Sequence, residues 1–251
     1  MSNMDKRLYK GKVALNVLTN SIQNAKDIFA AAEGHVLVGI LSKAYPDVLS
    51  AVAAMKEYGL VIDNAVSIGL GAGDSRQGAV VAEIVKHYAG AHINQIFPAV
   101  GATSANLNSR NSWINSLVSP CGKPGFVNIS TGVFSGQQEE KAIVPVKAAI
   151  ALVRDMGGHA LKYFPMGGLK SIDEYRLVAK ACGEEDFALE PTGGIDLDNF
   201  SQILDIALSE GVPQVIPHVY TSIIDSVTGA TKIEDVQLLL ELVKEVVGRY
   251  E

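Results

Sequence analysis

Cysteine is scarce in this sequence. Cys121 and Cys182 are the two among 251 residues, and neither has a second ligand-type residue at metal spacing. That excludes a disulfide framework and a thiolate zinc site, and it points to a cytoplasmic protein with reduced thiols. The five histidines show no HExxH or related spacing, so a structural zinc has no support either. No apolar run approaches the ~20 residues that span a bilayer. The N-terminal MSNMDKRLYKGKVALNVLTN lacks a signal-peptide core and a small-residue cleavage site, so no membrane association is expected. Basic charge is also in deficit, with 21 Lys and Arg against 27 Asp and Glu, a net −6. A phosphate-backbone partner needs a basic face, which excludes nucleic acid as the main partner. A small anion is still allowed, because a few amides or cations hold one phosphate. No low-complexity tract, charge block or Pro-rich linker divides the chain, so residues 1–251 are expected to form one domain.

What the sequence does contain is a regular alternation. Short apolar runs at Lys12–Leu18, Val36–Leu41, Val66–Leu70, Ile93–Ala99, Gly125–Ile129, Ala160–Phe164, Phe187–Glu190 and Gln214–His218 read as strands. Helical patterns follow most of them, at Asp47–Tyr58, Arg76–Tyr88, Val144–Met156, Ile172–Cys182, Leu197–Leu208 and Ile233–Val247. Alternating strands and helices imply parallel βαβ units. Eight such units in this length predict an α/β fold, a (β/α)8 TIM barrel, with a doubly wound open sheet as the structural rival. Ser171, and Asp196 or Asp198, are expected helix caps. The Ser-, Asn- and Gly-rich stretch 101–124 reads as a long, partly helical excursion after the fourth strand.

Lys162 interrupts a strand that otherwise reads Ala160, Leu161, Tyr163, Phe164. Period two puts Ala160, Lys162 and Phe164 on one face. If that face is interior, burial favours the neutral amine, the form that attacks a carbonyl. The bland alternative is a strand-end Lys reaching solvent. Two consecutive strands end in Pro-X-Gly-Gly turns, Pro165-Met166-Gly167-Gly168 and Pro191-Thr192-Gly193-Gly194. Paired glycines let amides approach an anion, and barrels hold phosphates at this late C-terminal rim. Steric need for a tight turn produces the same signature.

The pattern LKYFP…EPTGGI resembles the class I aldolases that cleave 2-keto-3-deoxy-6-phosphogluconate (KDPG) and 4-hydroxy-2-oxoglutarate. Over nearly its full length the chain is more similar still to the KDGP aldolase family, linked to catabolism of sugar acids and amino-sugar acids. The resemblance implies a pyruvate-forming aldolase on a barrel with a Schiff-base lysine, Lys162, on the sixth strand. It implies Thr192 as a substrate contact, Gly193 and Gly194 as phosphate-binding residues, a small keto-acid substrate, phosphorylated or not, and a homo-oligomer. No organic cofactor is needed, because the protonated imine is the electron sink. One departure stands out. The better-known aldolases carry a Glu on the second strand with a basic residue four positions on. Here the stretch is Gly39-Ile40-Leu41-Ser42-Lys43, so the base remains and the acid is gone.

Glu190, on the strand after that of Lys162 and inward with Ala188, is the candidate general base, or else an ion-pair partner of Lys162 or Lys43. Lys43 is a candidate for the substrate carboxylate. Arg76, in the Gly71-Ala72-Gly73-Asp74-Ser75-Arg76 loop, is a candidate for phosphate or the sugar-acid tail. Gly167 and Gly168 are candidates for the same anion. His218 ends the eighth strand, as a mouth residue or as a hydrogen-bonded core histidine. Gln95 and Asn128 are polar breaks in apolar runs that suggest interior contacts. Two rival readings remain: a metal-assisted aldolase or isomerase using Asp74 and Glu190, and a non-catalytic barrel that binds a phosphosugar.

Overall fold

A computed structural model describes residues 3–108 and 110–250. In chain order its elements are β1 (Leu15–Leu18), α1 (Ile22–Ala31), β2 (Val36–Leu41), α2 (Val48–Val61), β3 (Val66–Gly69) and α3 (Gln77–Ile84). Next come β4 (His92–Ile96), α4 (Val100–Leu107), β5 (Trp113–Val118), β6 (Phe126–Asn128), β7 (Ile143–Pro145) and α5 (Val146–Asp155). Then follow β8 (Ala160–Tyr163), α6 (Ile172–Glu184), β9 (Ala188–Pro191), α7 (Phe200–Ser209) and α8 (Ile233–Gly248). Seven strands form one parallel sheet in the order β1-β2-β3-β4-β5-β8-β9. Segment 214–219 lies between its two ends. Leu189 N donates to Gln214 O at 3.0 Å and His218 N to Pro191 O at 3.0 Å on the β9 side; Asn16 N donates to Pro217 O at 3.0 Å and Val219 N to Asn16 O at 3.0 Å on the β1 side. The sheet is curled enough that one segment bonds both of its edges.

Six of the eight expected strands fall within a few residues of those observed; Gln214–His218 forms isolated bridges to its neighbours instead of a regular strand, and one further strand is exchanged. Gly125–Ile129 is not in the main sheet: β6 pairs antiparallel with β7 as a separate hairpin. Its place is taken by β5, which lies inside the stretch expected to be an irregular excursion and pairs with β4 and β8. Ser109, in the same stretch, lies outside the described residues. β5 escapes a hydrophobic pattern because Asn115 and Ser116 interrupt Trp-Ile-Asn-Ser-Leu-Val, and both are fully buried. The two errors cancel, so Lys162 still sits on the sixth strand of the sheet.

Two apolar layers hold the fold. Outward residues of the strands, such as Leu15, Val38, Ile68 and Ile93, pack with helix residues Ile28, Met55, Val81 and Val243 in one continuous core. Each fully buried aliphatic side chain contributes ~1.5–3 kcal/mol of transfer free energy. The inward face has a much smaller cluster: Ala14, Leu37, Ala91 and Ile216, with Met4 and Leu8 of the N-terminal segment packed among them. α1 packs against both α2 and α8, so the helix layer also returns on itself. Capping is partly as expected. Ser21 and Asp47 accept from Asn24 N and Ser50 N at the starts of α1 and α2. Ser171 sits at the N-cap of α6 without a side-chain bond, and Asn199 occupies the α7 cap, with Asp196 Oδ1 accepting from Asp198 N and Asn199 N just before it. Among the described residues no helix is long and apolar enough to cross a membrane.

Candidate active site

Above the small inner cluster, the inward face of the sheet turns polar. Asn16, Ser67, His92, Asn94, Asn115, Glu190 and His218 are all at most 2% exposed. Polar groups this deep must be paired, since an unmet donor or acceptor costs ~1–3 kcal/mol. They are paired with one another. Glu190 Oε1 lies 2.9 Å from His92 Nε2; Oε2 accepts from Asn115 Nδ2 at 2.6 Å and lies 2.8 Å from His218 Nε2. Ser67 Oγ accepts from Asn16 Nδ2 and Asn94 Nδ2, both at 3.0 Å, and lies 2.9 Å from His92 Nδ1. Burial alone would push the Glu190 carboxyl's pKa up, but His92 and His218 outweigh it and hold it below the usual range. A carboxylate accepting from both imidazole Nε2 positions makes each an Nε2–H tautomer, leaving the Nδ1 lone pair of His218 free to accept.

Lys162 stands over this layer. Its Nζ donates to Asn94 Oδ1 at 2.8 Å and lies 3.2 Å from His218 Nδ1. Among the described residues no carboxylate comes within 4.0 Å of it. Burial lowers the ammonium's pKa to about 8, against the opposing pull of Glu190. The same cause, with the Lys162 charge second, lowers His218 to about 3, so its ring is neutral at neutral pH. Tyr220 completes the wall: its hydroxyl lies 2.7 Å from His218 Nδ1 and 3.2 Å from Asn16 Oδ1, and burial raises its pKa.

Lys162, His218 and Tyr220 face a cavity of about 480 Å³. Leu18, Leu41, Leu117 and Phe164 supply apolar wall, while Lys43, Thr192, Gly167, Gly193 and Gly194 line its rim. The Gly-Gly turns lock together there. Gly168 N donates to Gly193 O at 2.8 Å, and all four glycines have positive φ. A Cβ on Gly194 would lie 2.4 Å from Gly168 N, so only glycine permits this approach. Among the described residues no acceptor meets the amides of Gly193 and Gly194, which leaves two donors at the rim.

The structure therefore brings Lys162, Lys43, Thr192, Gly167, Gly193, Gly194 and His218 to one cavity. It places three expected residues elsewhere. The Gly168 amide is spent inside the turn. Arg76 is exposed and holds Asp74 through Nη2 at 2.8 Å and Nε at 3.0 Å, away from the cavity. Glu190 is sealed beneath His218, with both oxygens occupied, and makes no ion pair with Lys162 or Lys43. Nor does it converge with Asp74; its neighbours are His92 and His218, whose ligand-type atoms lie within 4.8 Å of one another but are committed to the hydrogen bonds above. Gln95 is interior but points outward, to Gly78 O and Thr103 Oγ1, and Asn128 belongs to the hairpin. A Cβ on Gly39, where related aldolases carry Glu, would meet Leu18 Cδ2 at 2.8 Å, so the acid's space is filled by leucine. His92, Asn94, Asn115, Asn16 and Tyr220 were missed. The signal available was a polar residue at an inward position of every strand of the sheet except β2, whose inward residues are Leu37, Gly39 and Leu41.

Comparison with known proteins agrees with this picture. A curated relative from Salmonella typhimurium (strain 14028s / SGSC 2262), 2-dehydro-3-deoxy-phosphogluconate aldolase, is 47% identical over 243 residues, covering 95% of this chain and 98% of that one. Among solved structures, one described as native KDPGal superposes with a TM-score of 0.57 at 12% identity, over 94% of this chain and 96% of that chain. (S)-3-O-geranylgeranylglyceryl phosphate synthase from Thermoplasma acidophilum superposes with a TM-score of 0.58 at 14% identity, over 98% and 99%. At such identities the structures report shared fold alone. The sequence model of the KDGP aldolase family matches residues 9–227, and this chain belongs to that family.

Proposed function

We propose that this protein is a class I aldolase that cleaves 2-dehydro-3-deoxy-phosphogluconate to pyruvate and an aldehyde through a Schiff base on Lys162, working as one closed (β/α)8 barrel whose eighth strand is segment 214–219. One observation carries the reading: an amine in the cavity wall, held by two neutral acceptors and no carboxylate, with a pKa near 8. Such a group is partly neutral near pH 7 and nucleophilic. The 47% identical relative bears the same reaction in its name.

Neutral Lys162 attacks the C2 carbonyl, and loss of water with uptake of one proton, returned at the final hydrolysis, leaves a protonated imine. The C4 hydroxyl gives up its proton as the C3–C4 bond breaks; the bonding electrons pass through C3 and C2 to the imine nitrogen, forming a neutral enamine. Protonation at C3 and hydrolysis release pyruvate and restore the amine. Lys43 at the rim suits the C1 carboxylate, and the Gly193 and Gly194 amides suit a terminal phosphate. Leu18, Leu41 and Phe164 keep the reacting centre dry.

Incubation with pyruvate and borohydride, followed by mass mapping, should find a reduced pyruvyl adduct on Lys162. An enzyme that turns over without such an adduct refutes the reading. Pyruvate release from the phosphorylated keto acid should far exceed release from 4-hydroxy-2-oxoglutarate, which offers the glycine amides no phosphate.

A further inference from the structure

We infer that His218 and Tyr220 are the acid–base pair of this site, replacing the absent second-strand acid, with Glu190 and His92 as the positioning residues that set the His218 tautomer. The inference rests on the Schiff-base reading above and adds the proton path to it.

His218 meets every requirement of geometry. Its Nε2–H is fixed on the Glu190 carboxylate at 2.8 Å, so Nδ1 faces Lys162 at 3.2 Å and Tyr220 at 2.7 Å as an acceptor. That single lone pair has two competing donors. While Lys162 is an ammonium, it can donate to Nδ1, and the Tyr220 hydroxyl has a second acceptor in Asn16 Oδ1 at 3.2 Å. Once Lys162 has become a protonated imine it keeps a single N–H, which Asn94 Oδ1 at 2.8 Å accepts, and the Tyr220 hydroxyl then donates to Nδ1. Tyr220 lines the cavity, so its oxygen can take the C4 hydroxyl proton as its own proton passes to His218.

Charge makes the transfer timely. The charge on Lys162 is the second cause, after burial, that keeps His218 from binding a proton. Carbon–carbon cleavage removes that charge, because the bonding pair neutralises the imine nitrogen. His218 therefore becomes a better base at the moment a proton is released, and the Glu190 carboxylate balances the resulting imidazolium. The proton then returns by the same path to C3 of the enamine, and no atom or electron is left over. The titratable and charged groups facing His218 are Lys162, Glu190, His92 and Tyr220, and each has a part in this account.

The test uses Tyr220→Phe, His218→Ala and Glu190→Gln beside the wild type. Each is assayed for cleavage, for borohydride trapping with pyruvate, and for exchange of the pyruvate methyl protons with D2O. Tyr220→Phe removes one oxygen atom and leaves the ring in place. It should keep trapping while cleavage and exchange fall about 100-fold or more, the usual contribution of a general acid–base group. His218→Ala should lose both, with added imidazole restoring part of the cleavage, which a structural defect would not allow. Glu190→Gln should lower kcat with little change in KM. Retention of wild-type cleavage and exchange by Tyr220→Phe overturns the proton path, as does an imidazole-insensitive His218→Ala that still folds. Loss of wild-type activity to EDTA with recovery on Zn2+ overturns it in favour of metal binding by the same side chains. Absence of trapping in the wild type sinks the Schiff-base reading instead, so the two failures are distinguishable.

Discussion

Lys162 and Glu190 are register partners on adjacent parallel strands, yet their charges never touch, because the His218 ring lies between them. One imidazole nitrogen is 2.8 Å from the carboxylate and the other 3.2 Å from the amine. A direct contact would make an ion pair and hold Lys162 protonated. The interposed ring keeps the carboxylate's influence while leaving the amine among neutral acceptors, and several consequences can be measured.

Lys162→Met should abolish turnover and raise thermal stability near neutral pH. The folded state disfavours the ammonium, with a pKa of about 8 against 10.5 for an ordinary lysine. Below about 8 the side chain is charged in both states and the dehydration cost of folding is fully present. Between those two values the unfolded chain binds more protons, so stability rises with pH as the cost is relieved. Neither acceptor is orphaned by the substitution, since Asn115 donates to Asn94 Oδ1 and Tyr220 lies against His218 Nδ1. Melting curves of both proteins from pH 7 to 10 should converge as pH rises; a variant less stable at pH 7 would contradict the assignment of a desolvated amine.

Glu190→Ala should destabilise the fold by ~3 kcal/mol or more, because three buried donors, on His92, Asn115 and His218, lose their acceptor at ~1–3 kcal/mol each. Urea unfolding measures this. A loss below ~1 kcal/mol would mean that water replaces the carboxylate and that the layer is not closed.

Gly194→Ala and Gly167→Ala separate packing from backbone strain. Both positions have positive φ, at 73° and 67°. At Gly194 the added Cβ would also lie 2.4 Å from Gly168 N, whereas at Gly167 its nearest neighbour is the Lys170 side chain at 3.4 Å. Gly167→Ala should cost ~1–2 kcal/mol of stability and little activity. Gly194→Ala should cost more than that and raise KM sharply by opening the turn. Equal effects in stability and KM assays would show that the locked turns do not shape the rim.

Lys43→Ala should raise KM roughly tenfold or more while kcat changes little, as expected when a charge-assisted hydrogen bond of ~1.5–3 kcal/mol is lost from substrate binding. Arg76→Ala should leave both constants unchanged, because its guanidinium is spent on Asp74 outside the cavity. Steady-state kinetics on the pair decide which cation reads the substrate's anionic end.

Much of this molecule was legible in one dimension. The strand pattern around β2, β3, β8 and β9 was readable because strands with at least one face against helices are apolar and short. That Lys162 shares a face with Ala160 followed from period two, and the rim turns from their paired glycines; that this face is the inward one came from the structure. β5 was not readable, because its buried polar residues imitate a loop, and the hairpin strand β6 imitates a sheet strand over its few residues.

Local chemistry, then, is what the amino-acid order determined by itself: which residue types can bind, attack or turn, and which residues of a recognised strand share a face. The company that each residue keeps was decided only by the curled packing of the strands. His92 and Glu190 are 98 positions apart, Asn115 and Glu190 75, and Lys162 and Asn94 68, yet all lie within hydrogen-bond reach. Curling the sheet sets inward residues of distant strands face to face in one dry layer, where unmet hydrogen bonds are too costly to tolerate. That demand, which no local window expresses, moved Glu190 from the cavity to beneath it and put His218 in front.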